Sequence, residues 1–233
     1  MELRRRSFRP IVVALAALSL SLTATAQTSS PSSSSNSAKH VKKPAAPLDS
    51  GLDAGTVTNG VYRNKTLALS CKIPEGWVLR TDEMNAREED KDTPAAAQPP
   101  GPAASSAGAK VLLAAFSRPP EARAEDVNSS ILIAAESGAA YPGLKDAAQY
   151  FGPLTEVARA QGFAMDEDPY EIAVGTKTLV RGDFHKDVGT RVMHQSTLAM
   201  LSHGYAVSVT IIAGTEDDVE ELIDGLTFTP SGK

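Results

Sequence analysis

The chain has 233 residues, 42% of them hydrophobic and 5% aromatic, with a formal charge of −5 at pH 7. That length suits one ordinary domain with extensions, and the acidic balance argues against nucleic acid or an anionic membrane surface as the main partner. Cys71 is the only cysteine, which excludes an intramolecular disulfide.

Arg4, Arg5, Arg6 and Arg9 precede an apolar run from Ile11 to Leu22, and Ala24-Thr25-Ala26 follows. A basic start, an apolar run and a small-residue cleavage pattern are the layout of a secretory signal peptide over residues 1–26. The run is shorter than the roughly 20 apolar residues of a bilayer span, so no stable membrane span is expected after cleavage. Arg5-Arg6-Ser7-Phe8 resembles the core of a twin-arginine signal. Arg4 stands where that signal has a small polar residue, so the general route for unfolded chains is favoured. Either route places the rest of the chain in the periplasm or outside the cell. Cleavage would remove four arginines and Glu2, leaving 19 basic and 27 acidic residues and a formal charge of −8.

Residues 27–55 contain eight serines and no aromatic residue. Such a tract cannot bury enough apolar surface to offset its ordering entropy, and reads as a disordered linker. Its basic cluster, Lys39 to Lys43, reads as part of that solvated linker. Residues 56–231 form the expected domain. A second low-complexity tract at about 93–108, with Pro99-Pro100-Gly101-Pro102, reads as an exposed loop within it.

Inside the domain, Leu67, Leu69 and Cys71 alternate with smaller or polar residues, the pattern of a half-buried strand. Pro74-Glu75-Gly76 closes it with a turn, and Trp77 follows as a core anchor. Residues 81–91 predict a charged, solvated helix, and 111–116 and 130–135 predict strands. From Leu144 to Gln161 the spacing of Ala147, Phe151, Leu154 and Ala158 predicts helix, with a kink or a break at Gly152-Pro153. Strands at 177–185, 191–201 and 205–213 follow with short links, which implies antiparallel hairpins. Thr215 is a good N-cap for a last helix, whose acidic first turn suits the helix dipole. Val219, Leu222, Ile223 and Leu226 make its apolar stripe, and Gly225 is placed for a left-handed cap.

Val61-Tyr62 to Leu69-Ser70, followed by Ile73-Pro74-Glu75-Gly76-Trp77, resembles the opening of PsbP-like domains. The closing run from Gly175 through Gly204-Tyr205 to Leu226-Thr227-Phe228 is similar as well. The resemblance implies an α+β fold over about residues 58–230, with a central antiparallel sheet and helices on both faces. That family is mostly non-catalytic; together with the export layout and the lack of catalytic motifs, the resemblance implies an exported domain that binds a protein partner or supports assembly of an envelope complex. Tyr62, Pro74, Gly76, Trp77, Thr215 and Gly225 would then be structural anchors.

For chemistry, alternation places Arg181, Asp183 and His185 on one face of their strand. If Phe184 pairs near Val192, Arg191 and Gln195 join that face and His194 faces Gly182 on the apolar side. A histidine, an aspartate and an arginine together can hold an anion or move a proton. Arg181, Asp183, His185, Arg191 and His194 are therefore the ligand-binding candidates, and a small ligand or a metal ion the alternative occupant. The bland reading is a solvated ladder of charges. No second ligand lies at zinc-type spacing from His194, so no metal set is readable. No nucleophile elbow, phosphate loop, zinc-protease motif or dinucleotide fingerprint is present, so neither a catalytic residue nor a cofactor is assigned; a hydrolase with an unrecognised site is the weakest reading. Cys71 lacks a basic neighbour to lower its pKa. Asn64-Lys65-Thr66 and Asn128-Ser129-Ser130 fit the glycosylation pattern.

Overall fold

Alternating residues and continuous apolar runs build twelve strands among the described residues. A computed structural model describes residues 51–89, 109–122, 124 and 126–229. The segment expected as a signal peptide, most of the expected linker and the proline-rich tract at 93–108 lie outside the described residues. A four-stranded sheet has the order β1 (Thr56–Thr58), β2 (Val61–Asn64), β3 (Leu69–Lys72) and β12 (Leu226–Phe228). The larger sheet runs β4 (Val78–Leu79), β5 (Lys110–Phe116), β6 (Ser130–Ser137), β11 (Tyr205–Ala213), β10 (Arg191–Ser202), β9 (Lys177–Val188) and β7 (Ala164–Met165). Strand β8 (Tyr170–Val174) lies beside the first half of β9, on the edge that β7 occupies further along. All pairings among the described residues are antiparallel. The fold is thus a sheet-rich α+β arrangement.

Among the described residues three α-helices accompany the sheets: α1 (Thr81–Glu89), α2 (Ala147–Ala160) and α3 (Glu216–Asp224). Alternation along β11 sorts the packing. Val207, Val209, Ile211 and Ala213 join Val219, Leu222 and Ile223 of α3 and the small sheet's Tyr62, Leu69, Cys71 and Phe228 in one buried cluster. Ala206 and Ile212 join Tyr150, Phe151 and Ala158 of α2. Among the described residues no helix is long and apolar enough to cross a membrane.

Several expectations change. Pro153 lies inside α2 without splitting it; burial of Tyr150, Phe151 and Ala158 holds a helix together across one missing N–H. Gly225 is right-handed, with φ −70°, not left-handed. Its role is close approach. A Cβ there would stand 3.1 Å from the Leu222 carbonyl oxygen and 3.5 Å from that of Lys72, whose N–H donates to the Gly225 carbonyl. The folded part also starts before residue 56, because Leu52 is buried in the core and the Asn64 amide donates to the Asp53 carbonyl at 2.6 Å. Trp77 is only half-buried and packs at the margin of the core.

Candidate functional site

Strand β9 carries Arg181, Asp183 and His185 at alternate positions, so they share a face as expected. The register across to β10 differs from expectation. Phe184 pairs with Gln195, three residues beyond Val192, because the turn at Gly189-Thr190 sets Val188 opposite Arg191. An odd shift flips every side chain of β10 to the other face. His194 therefore joins Arg181, Asp183 and His185 and stands directly opposite His185. Arg191 and Gln195 fall on the opposite face with Phe184, so the expected shared face loses both and gains His194.

Of these, Arg181, Asp183 and His194 border a cleft of about 280 Å³ that Asp166, Tyr170 and Glu220 also line, among others; His185 is not part of its lining. Arg181, its side chain 13% exposed, donates from Nε to Asp183 at 2.9 Å and pairs through Nη2 with Glu220. Its guanidinium also lies 5.9 Å from the centre of the Tyr170 ring. Burial works to lower the Arg181 pKa, but hydrogen bonds to Glu220 and Asp183 outweigh it and raise the value. Tyr170 donates to the other Asp183 oxygen at 2.8 Å. Burial, helped by that carboxylate, pushes the phenol up to about 12.

His185 contacts the Asp166 carboxylate through Nδ1, and His194 Nδ1 lies 3.7 Å from Glu216. Asp166 is positioned by its own N–H, which donates to the Asp183 carbonyl at 2.9 Å. A His–Asp pair of this kind serves covalent hydrolysis when a side-chain nucleophile lies within reach. Among the described residues no hydroxyl or thiol hydrogen-bonds to either histidine. Cys71 sits in the core, where burial pushes its thiol up to about 12, away from nucleophilic use.

Two features escaped the sequence. Glu136, buried at the end of the apolar strand β6, accepts hydrogen bonds from Tyr141 and Tyr150, whose rings meet edge to face at 5.3 Å. The signal was a lone acid closing an apolar run. The second is an open groove of about 540 Å³ lined by Val57, Val61, Ile73, Pro74, Trp77 and Leu79, among others. Its floor is the Pro74-Glu75-Gly76-Trp77 turn, in which Gly76 has φ +83° and the Trp77 N–H faces the Pro74 carbonyl at 3.4 Å. Strands β1 and β4, the outermost of their sheets at this end, supply Val57 and Leu79, which are 40% and 44% exposed.

The glycosylation patterns have structural roles. The Asn64 amide is buried against Tyr62 and Asp53, and Asn128 spans Ser117 and both backbone groups of Arg118.

No protein-family model and no curated protein matches the chain. Among solved structures it is similar to PA94 of Pseudomonas aeruginosa, a protein of unknown function, with 15% identity and a TM-score of 0.34 over 48% of this chain and 80% of that one. LpqN of Mycobacterium tuberculosis, involved in cell envelope biogenesis, matches with 14% identity and a TM-score of 0.33 over 70% and 83%. The Saccharomyces cerevisiae Ran-binding protein Mog1p matches with 11% identity and a TM-score of 0.36 over 69% and 90%. Likenesses of this size transfer no function.

Proposed function

We propose that the chain is an exported, non-catalytic domain of PsbP-like design, with helices on both faces of its sheet, that binds a protein partner and supports assembly of an envelope complex. The observation that carries this reading is the groove at Trp77. Exposed Val57 and Leu79 flank a half-buried tryptophan between two outer strands. Tryptophan is favoured at the centre of binding patches, and an outer strand offers unpaired backbone groups to an extended segment. The partner segment is therefore extended and apolar, adding to β1 while it covers Trp77. The export layout and the PsbP-like motifs support an envelope setting.

A photo-crosslinking amino acid placed at position 57 or 79, in the full chain expressed with its own leader, tests this. The expected result is one envelope protein crosslinked from both positions, absent from a control at Arg159 on α2 and lost on Trp77→Ala. Equal adducts at Arg159, or none at 57 and 79, would overturn the reading.

A further inference from the structure

His185 on β9 and His194 on β10 are direct cross-strand partners on one face of the sheet. Side chains so paired have Cβ atoms about 4.5–5.5 Å apart. From that spacing two imidazoles can reach one ion at the roughly 2.0–2.1 Å of a metal–nitrogen bond. Each ring turns Nδ1 to a carboxylate. Nδ1 of His185 contacts the Asp166 carboxylate, and Nδ1 of His194 lies 3.7 Å from Glu216 Oε1. That leaves Nε2 of each ring as the nitrogen not turned to a carboxylate. A ligating histidine characteristically gives its other N–H to a carboxylate, which fixes the ring and raises its basicity.

The surroundings favour a cation. Asp166, Glu167, Asp183, Glu216 and Glu220 line the adjoining cleft, and its one arginine is matched by Asp183 and Glu220. No three His, Cys, Asp or Glu side chains converge as a metal-holding group among the described residues. The protein therefore supplies two nitrogens, and water or another molecule completes the shell. We propose that His185 and His194 form a two-imidazole site for a divalent transition-metal ion, with Asp166 and Glu216 as outer-shell acceptors. The order of affinities for nitrogen ligands puts Cu²⁺ ahead of Zn²⁺ there. The site is separate from the Trp77 groove, so neither proposal stands or falls with the other.

The test is titration of the untagged full chain with Cu²⁺ against a glycine competitor, followed by calorimetry and by the nitrogen hyperfine pattern in electron paramagnetic resonance. The chain has only four histidines, which makes the controls complete. The expected result is a two-imidazole Cu²⁺ signal that either His185→Ala or His194→Ala abolishes, while His40→Ala and His203→Ala leave it intact. Asp166→Asn should keep the signal and weaken binding by about 10–100-fold, the usual effect of losing an outer-shell partner. Metal-free melting curves identify any variant that fails to fold, and His185→Asn or His194→Asn replaces it. A signal that survives the double His185→Ala, His194→Ala change, or that needs His40 or His203, overturns the proposal.

Discussion

The ring of Phe151 on α2 lies directly over Gly182 on β9. A Cβ built on the glycine would stand 2.5 Å from Phe151 Cε1. The glycine is there for contact, since its φ lies outside the left-handed region, and α2 settles onto the sheet through the gap it leaves. Gly182→Ala should destabilise the domain by about 1–3 kcal/mol, the range for overpacking. Phe151→Leu in the same chain should recover part of that loss. A urea midpoint unchanged by Gly182→Ala would show that α2 does not rest on this contact.

Thr215 accepts the Asp218 N–H at 3.1 Å and starts α3 as the sequence predicted. Thr215→Ala should cost about 0.5–2 kcal/mol, and Thr215→Ser far less. Chemical denaturation of both variants separates loss of the cap from loss of the methyl group.

Alkaline pH should weaken the fold. Burial pushes the Cys71 thiol from 9.0 to about 12. Burial likewise pushes the Tyr62 phenol to about 12, against the opposing hydrogen bond from Asn64. The unfolded chain releases these protons first, so above pH 9 it binds fewer protons than the folded one and stability falls with rising pH. The stabilising contribution is complete below the unfolded values and fades towards pH 12. Cys71→Ala should flatten the slope just above pH 9, read as the urea midpoint at stepped pH. An identical slope in the variant would exclude the thiol.

Arg181 is the hub of the cleft. Arg181→Met leaves Asp183 and Glu220 facing each other without their shared cation. Loss of charged hydrogen bonds at this partly exposed site should cost about 1.5–3 kcal/mol. Adding Asp183→Asn and Glu220→Gln should recover much of it. A double-mutant cycle by thermal unfolding measures the coupling.

The sequence was most legible where one residue's neighbours along the chain decide its place. Alternation put Arg181, Asp183 and His185 on one face, and the 3.6-residue spacing with Thr215 fixed α3. It was least legible where two segments must be aligned. Lys186-Asp187-Val188 is polar enough to read as a turn, yet it extends β9 as the arm of a hairpin. Missing those three residues moved the register by three and hid the meeting of His185 and His194. Asn59-Gly60 carries a strong signal for a tight hairpin. The structure gives it φ of 50° and 70° and a strand, β1, on its far side. Asp166 could not be linked to His185 from the sequence, since only the pairing of β7 with β9 brings them together.

Strand β12 pairs with β3, and the Thr229 N–H donates to the Ala68 carbonyl, joining the last described residues to some of the first. Leu226 and Phe228 fill the same cluster as Tyr62 and Cys71. A ribosome must therefore release the chain through residue 228 before the small sheet can close. Until then the nascent polypeptide lacks β12 and stays open to chaperones. That delay suits any pathway that must thread the chain in extended form.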